Sequence, residues 1–341
     1  MTYILDHNSF VSDVFIDEKI SELNNISVKI GKLILDKESD YFPSRSDQKV
    51  MRDDIKMSIV TAQELLKKYS FSEKTISNMP LFVSNGSFFG NFEKHLSRVL
   101  NVFKEATLEG SRMEVYKKIY RASPPLLAIE TLTNSNMSFI AQYTGLKGNN
   151  ATFGNTSIST YYALKQGVNE IKSGEKYCWI SASNGANIYS HIMNRSTSEV
   201  ELSGIENTGG GHIILSKKRH EDNKVLCEIT KMINIKKVPK LHDQTINRTW
   251  TELLKNSKSE LIIFSGAIDR GVNYKDEQHL KALKIPTISI FEKYGYLGVS
   301  NIIFGIIEGI KHRKNDIKSF LATKNVLSIE PEVVDPTFLY I

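Results

Sequence analysis

Few residues in this chain can carry chemistry, and none falls into a self-sufficient motif. Eight histidines are present, and no two have the spacing of a zinc site, so no metal is expected. His212 sits in the run Gly-His-Ile-Ile-Leu-Ser and reads as a partly buried strand residue. His279 lies on a polar helical pattern and reads as solvent-facing, while His7, His95, His220, His242 and His312 belong to no constellation. Cys178 and Cys227 both lie in apolar contexts and read as small core residues. Two cysteines cannot build a disulfide framework or a metal cluster. Asp269 and Glu277 follow one candidate strand, but a two-carboxylate mechanism needs a defined separation across a substrate. Asp276 and Glu277 are more simply the acidic start of a helix.

The bulk properties bound the answer. A chain of 341 residues can bury a large core, as one domain or two fused halves. The formal charge is +6, and the basic residues are scattered apart from Lys217-Lys218-Arg219-His220, which suits a solvated turn. No zinc-finger spacing and no basic helix with interleaved aromatics is read from the sequence, so nucleic acid is not expected as a partner. A mildly basic surface suits an acidic protein. Residues 1–25 carry charges throughout and no continuous apolar segment of the signal-peptide kind. No run of about 18 apolar residues occurs, so no membrane span is expected. A cytoplasmic protein is the expectation.

The elements that must position any site alternate strand and helix. Ile26, Val28 and Ile30 alternate with polar residues, as in a half-buried strand. Helical spacing is read over 55–69, 91–106, 126–143 and 158–171, the last ended by Gly174. Leu81 to Val83, Thr152–Phe153 and Tyr177 to Ala182 read as strands, the last placed at a sheet edge where a dimer partner would pair. Residues 210–216 and 224–232 read as an antiparallel pair joined by the basic turn. Leu261 to Phe264 and Ile285 to Phe291 are further strands, with helices near 248–254, 275–283 and 298–310. Glu308 interrupts the last, most apolar stretch. This alternation predicts an α/β fold with a buried sheet. Helices 158–171 and 298–310 are candidates for matching roles in an internal duplication.

Five segments, in order, resemble the ketosynthases, the condensing enzymes of fatty acid and polyketide synthesis, over roughly residues 48–312. They are Met51 to Ala62, Leu81 to Gly86, Gly145 to Gly174, Gly209 to Leu215, and Phe264 to Asp269 continuing to Ser289 through Ser300. The third is the strongest, with Gly145-Leu-Lys-Gly148, a short strand, a turn, and a helix bearing Ala163. The resemblance implies a thiolase-like five-layered α/β/α/β/α fold. It implies a single ketosynthase-like unit over 1–341, in approximate halves 1–205 and 206–341. Residues 313–341 lack the family's late Gly-rich turn and are expected to cover or rebuild that edge.

The resemblance also implies a site. The nucleophilic Cys of the family falls on Ser157, and the following Gly on Thr160. The two catalytic His fall on Ser265 and Tyr296, and the Lys falls on Phe291, with Lys293 near but out of frame. Asn155, Thr156, His191 and Phe291 are the implied substrate-facing residues. Decarboxylative condensation needs an easily ionised nucleophile and imidazoles. Serine needs a general base, and neither a serine hydroxyl nor a tyrosine phenol is a good base near neutral pH. Condensation by this chain alone is therefore not expected, and no cofactor is implied.

The function implied is a noncatalytic subunit, similar to a chain-length factor. It would pair with an active ketosynthase, meet an acyl carrier protein and shape the acyl tunnel. An acyltransferase or thioester hydrolase using Ser157, supported by backbone N–H groups at the turn, is the first alternative. A homodimeric binding or scaffold protein is the second.

Overall fold

The computed structural model describes residues 2–20, 26–34, 41–42, 44–86, 101–102, 111–123, 132, 134–154, 158–186, 205–218, 226–229, 231–234, 261–264, 284–313, 319–326 and 334–340. The strands are β1 (Thr2–Val11), β2 (Val14–Ile20), β3 (Ile26–Lys32), β4 (Leu81–Asn85), β5 (Asn150–Gly154), β6 (Tyr177–Asn184), β7 (Ile205–Glu206) and β8 (Gly209–Ser216). They continue as β9 (Cys227–Ile229), β10 (Lys231–Asn234), β11 (Leu261–Phe264), β12 (Thr287–Ser289), β13 (Ser319–Val326) and β14 (Val334–Tyr340). The helices are α1 (Arg45–Val50), α2 (Asp53–Lys67), α3 (Glu73–Asn78), α4 (Arg112–Ala122), α5 (Ser135–Thr144), α6 (Ser159–Ser173), α7 (Ile290–Tyr294) and α8 (Asn301–Arg313). A 3-10 turn, Gly298–Ser300, leads into α8.

The strands form a six-stranded sheet in the order β5-β4-β6-β8-β1-β9 and a five-stranded sheet in the order β10-β14-β13-β11-β12. A small sheet, β2-β3-β7, stands apart from both. One topology occurs twice. In chain order, the strands β1, β4, β5, β6 and β8 are arranged 3-2-4-5-1, and so are β10, β11, β12, β13 and β14. The first three strands across each sheet run parallel, and in each the fifth is antiparallel to both neighbours. An apolar helix follows the third strand of each copy, α6 after β5 and α8 after β12, the latter by way of α7 and the 3-10 turn.

These two helices share one apolar core with both sheets. Leu164, Val168 and Ile171 of α6 and Ile303, Ile306 and Ile307 of α8 belong to the cluster that contains Ile180, Ile213, Leu215 and Ile263 from the strands. A second core lies on the opposite face of the first sheet. There Ile55 and Ile59 of α2 and Ile140 of α5 join Leu81, Val83, Trp179 and Ile214. The alternation of strand residues decides this split: Cys178 and Ile180 belong to the first cluster and Tyr177 and Trp179 to the second. The described layers are thus helix, sheet, helix, sheet. The helices expected over 91–106, 248–254 and 275–283 fall wholly or almost wholly outside the described residues.

Several expectations change. Strand 209–216 completes the first sheet, and the two copies of the topology meet between β9 and β10. Strands 210–216 and 227–229 do not pair with each other, because β1 lies between them. Strand 177–184 is interior, flanked by β4 and β8, and β5 forms the edge. Residues 319–326 and 334–340, expected to cover or rebuild an edge, are the fourth and fifth strands of the second copy. The strand expected over 285–291 stops at Ser289, whose hydroxyl accepts from the N–H of Glu292 and starts α7. Ser-x-x-Glu at a helix start is a capping signature. Finally, α4 is a basic helix carrying Tyr116 and Tyr120, a feature that the sequence reading had missed.

Candidate functional site

The starts of α6 and α8 meet where the two copies join. Thr160, in the first turn of α6, is fully buried, and its hydroxyl donates to the carbonyl of Val299 at 2.5 Å. A hydroxyl therefore ties the copies together at the position where the resemblance places a glycine. Ser159 donates to the carbonyl of Gly154 at 2.9 Å, which links the end of β5 to the start of α6. The connection between them, with Asn155, Thr156 and Ser157, lies outside the described residues, as do His191 and Ser265.

Tyr296 is described and half-buried, on the turn before α8. Its carbonyl accepts from the N–H of Asn207 at 2.8 Å. The Asn207 amide also donates to the carbonyls of Tyr294 at 2.8 Å and Ser12 at 3.3 Å. Asn301 caps the same turn from below, its side-chain oxygen accepting from the N–H of Leu297 at 3.2 Å. Ser300 donates to the carbonyl of Gly209 at 2.9 Å. Gly298 has a φ of 51°, and a side chain there would collide with Asn184 at the end of β6. A glycine is the residue that tolerates both conditions. Phe291 is half-buried on α7, and its carbonyl accepts from the N–H of Gly295.

Lys293 stands near the Phe291 position and is engaged by Glu308. The Glu308 side chain is 2% exposed, and its carboxylate accepts from Lys293, Lys311 and Tyr294, each at 2.7 Å. Burial alone would raise its pKa, but these three hydrogen bonds outweigh that and hold it at about 2. The clamp fastens α7, and with it the turn carrying Tyr296, onto α8.

His212 is excluded from chemistry by its packing. It is fully buried, its Nδ1 accepts from the Trp179 indole N–H at 3.1 Å, and its Nε2 lies 2.7 Å from the Ser58 carbonyl. Because Nδ1 accepts, the proton of the neutral ring is on Nε2 and is donated to that carbonyl. Burial lowers its pKa to about 4, against the opposing effect of the Ser58 hydrogen bond. Cys178 is likewise sealed at the base of β6, and burial pushes its thiol pKa up, so it is a core residue and not a nucleophile.

Behind β4 and β6, a buried network supports the ends of the strands at the junction. Arg52 forms a two-point ion pair with Asp54, at 2.9 and 3.0 Å, and donates to Asn85 at 3.1 Å. Ser183 donates to Asp54 at 3.2 Å and accepts from Asn136 at 2.6 Å. Every charge in it is paired, as burial requires. The sequence reading singled out none of Asn184, Asn207, Asn136 or Asn301, because an isolated Asn carries no periodic signal. Thr160, Ser300, Asn207, Asn301 and Tyr296 at the junction carry hydroxyls, amides and a phenol, which donate hydrogen bonds but do not take up protons near neutral pH. Among the described residues no group of acidic, His or Cys side chains could hold a metal ion.

No protein-family model matches the chain, and no curated protein matches it. Solved structures do match over its full length. The chain is similar to the ishigamide ketosynthase/chain length factor, with TM-score 0.73, 12% identity and coverage of 100% of this chain and 99% of that one. It is similar to a chain from a type II PKS acyl-carrier protein in complex with its ketosynthase bound to the hexaketide, with TM-score 0.68, 14% identity and coverage of 99% and 98%. A β-ketoacyl synthase from Burkholderia phymatum STM815 matches with TM-score 0.64, 11% identity and coverage of 99% and 98%. The doubled 3-2-4-5-1 topology and these matches together establish that this chain has the thiolase-like fold of the ketosynthases.

Proposed function

We propose that this chain is a noncatalytic ketosynthase-like subunit, one that pairs with an active ketosynthase and shapes the acyl tunnel in polyketide, polyene or fatty acid synthesis. The thiolase-like fold supports this reading, together with the sequence resemblance that puts Ser157, Ser265 and Tyr296 where the family has its catalytic Cys and both His. On this reading the fold is retained and the ionisable chemistry is not. The likeness to a ketosynthase/chain length factor supports this role, and the likeness to a carrier-protein complex supports an acyl carrier protein as the second partner. Asn155, Thr156, His191 and Phe291 are the proposed tunnel-facing residues, and the cytoplasm is the proposed compartment.

The sheet order supports β5 as the pairing edge. β5 has a strand partner on one side only among the described residues. An unpaired edge is a template for another strand, and a two-fold axis across it would extend one sheet through both subunits. The test is co-expression with the ketosynthase and acyl carrier protein of its own cell. A stable complex is expected, whose product length changes when Phe291 is varied and does not change in Ser157→Ala. The isolated chain should give no β-ketoacyl product from acyl and malonyl thioesters. Turnover by the isolated chain that is lost in Ser157→Ala would replace this reading with acyl transfer or hydrolysis.

A further inference from the structure

Helix α4 stands on its own capping. The Ser111 hydroxyl accepts from the N–H of Glu114, while the Glu114 carboxylate accepts from the N–H of Ser111. At the other end, Ser123 closes the helix through both its N–H and its hydroxyl onto the Ile119 carbonyl. A reciprocal box of this kind satisfies two of the N–H groups that the first turn of a helix leaves unpaired. Val115, Ile119 and Ala122 point one way, half-buried or buried. Met113, Tyr116 and Tyr120, at i, i+3 and i+7, point away from them and are 63%, 69% and 84% exposed. This spacing makes one continuous stripe.

The stripe has a charged border. Arg112, Lys117 and Arg121 lie along its sides and Lys118 beyond it, all exposed, against the single acid Glu114. Four cations, one anion and three large apolar side chains thus make up the exposed residues of this eleven-residue helix. Tyr, Met and Arg are the types that concentrate at protein interfaces, and a cationic border selects a partner of opposite sign. A bilayer-seeking helix of this kind carries Trp, Phe or Leu on its apolar face, and three side chains, two of them ending in a hydroxyl, offer little to an acyl layer.

We propose that the Met113–Tyr116–Tyr120 face of α4 is a docking site for an acidic protein, whose apolar groove receives the stripe and whose carboxylates meet Arg112, Lys117 and Arg121. The proposal does not rest on the function given above: it concerns α4, whereas the subunit pairing proposed there uses β5.

Site-specific photo-crosslinking in the native cell tests it, with benzoylphenylalanine in place of Tyr116 and, as a control, in place of the exposed Lys74 on α3. The expected result is an adduct specific to the Tyr116 position. Its protein is identified by mass spectrometry, carries net negative charge and is then purified. In titrations, wild-type protein should bind it with an affinity that falls steeply with salt. Tyr116→Ala/Tyr120→Ala and Lys117→Glu/Arg121→Glu should each weaken binding by about tenfold or more. Both variants alter exposed side chains only, and circular dichroism verifies that α4 is retained. An adduct with lipid or RNA, with a second copy of this chain, or with nothing specific to position 116 overturns the proposal. So does a purified partner whose affinity neither double variant changes.

Discussion

His212 and Thr160 show how single side chains are committed to structure in a chain whose implied reactive positions hold hydroxyls. The His212 pKa is about 6.5 when unfolded and about 4 when folded. The unfolded state therefore binds the proton more readily. The stability due to the neutral ring is fully present above pH 6.5 and is lost as pH falls through the interval to 4, by about 3 kcal/mol in all. Denaturant melts at pH 7, 6, 5 and 4 should show this loss. His212→Gln should flatten that part of the profile, and it should cost about 1–3 kcal/mol at pH 7 by breaking the bonds to Trp179 and Ser58. Thr160→Val keeps the shape of the side chain and removes the donor to Val299. It should destabilise the protein by about 1–3 kcal/mol, because a buried carbonyl loses its partner. Chemical denaturation at neutral pH checks it.

At the scale of elements, the α7–α8 clamp gives a second acid-sensitive feature of lower onset. Glu308 has a folded pKa of about 2, below its ordinary value near 4.5. Its contribution is present above pH 4.5 and is lost as pH falls towards 2. Glu308→Gln should leave the stability curve unchanged in shape above pH 5 and remove the drop below 4.5. It should also loosen the turn carrying Tyr296, seen as faster hydrogen exchange at residues 293–298. The clamp was hidden in the sequence because Lys293 and Glu308 lie on different helices. The Ser289 and Ser111 caps, by contrast, were legible as Ser-x-x-Glu and were overlooked in favour of apolar runs. An apolar run such as 285–291 is ambiguous between strand and helix until a cap decides it.

For the whole molecule, the strand–helix alternation and the apolar α6 and α8 were legible, and so the fold class was too. That 209–216 belongs to the first sheet, and 177–184 to its interior, was not legible for one reason. Which strands become neighbours is settled by partners far apart in sequence, such as β1 against β8, and no local pattern encodes it. The same holds for the site, where Thr160 meets Val299 across 139 positions. Because the core around α6 and α8 draws on both copies, neither should fold alone. Fragments 1–230 and 231–341 are expected to be unfolded or aggregated when expressed separately. The intact chain should show one cooperative transition in which far-UV and tryptophan signals coincide.

The doubled topology also decides what dilution can do. Two separate chains would hold the α6–α8 junction only by mass action, and it would come apart as their concentration fell. Here the chain passes from β9 to β10 through residue 230 alone. That short link keeps each copy at an effective concentration on the order of millimolar towards the other, whatever the bulk concentration. The inner junction is therefore indifferent to protein abundance.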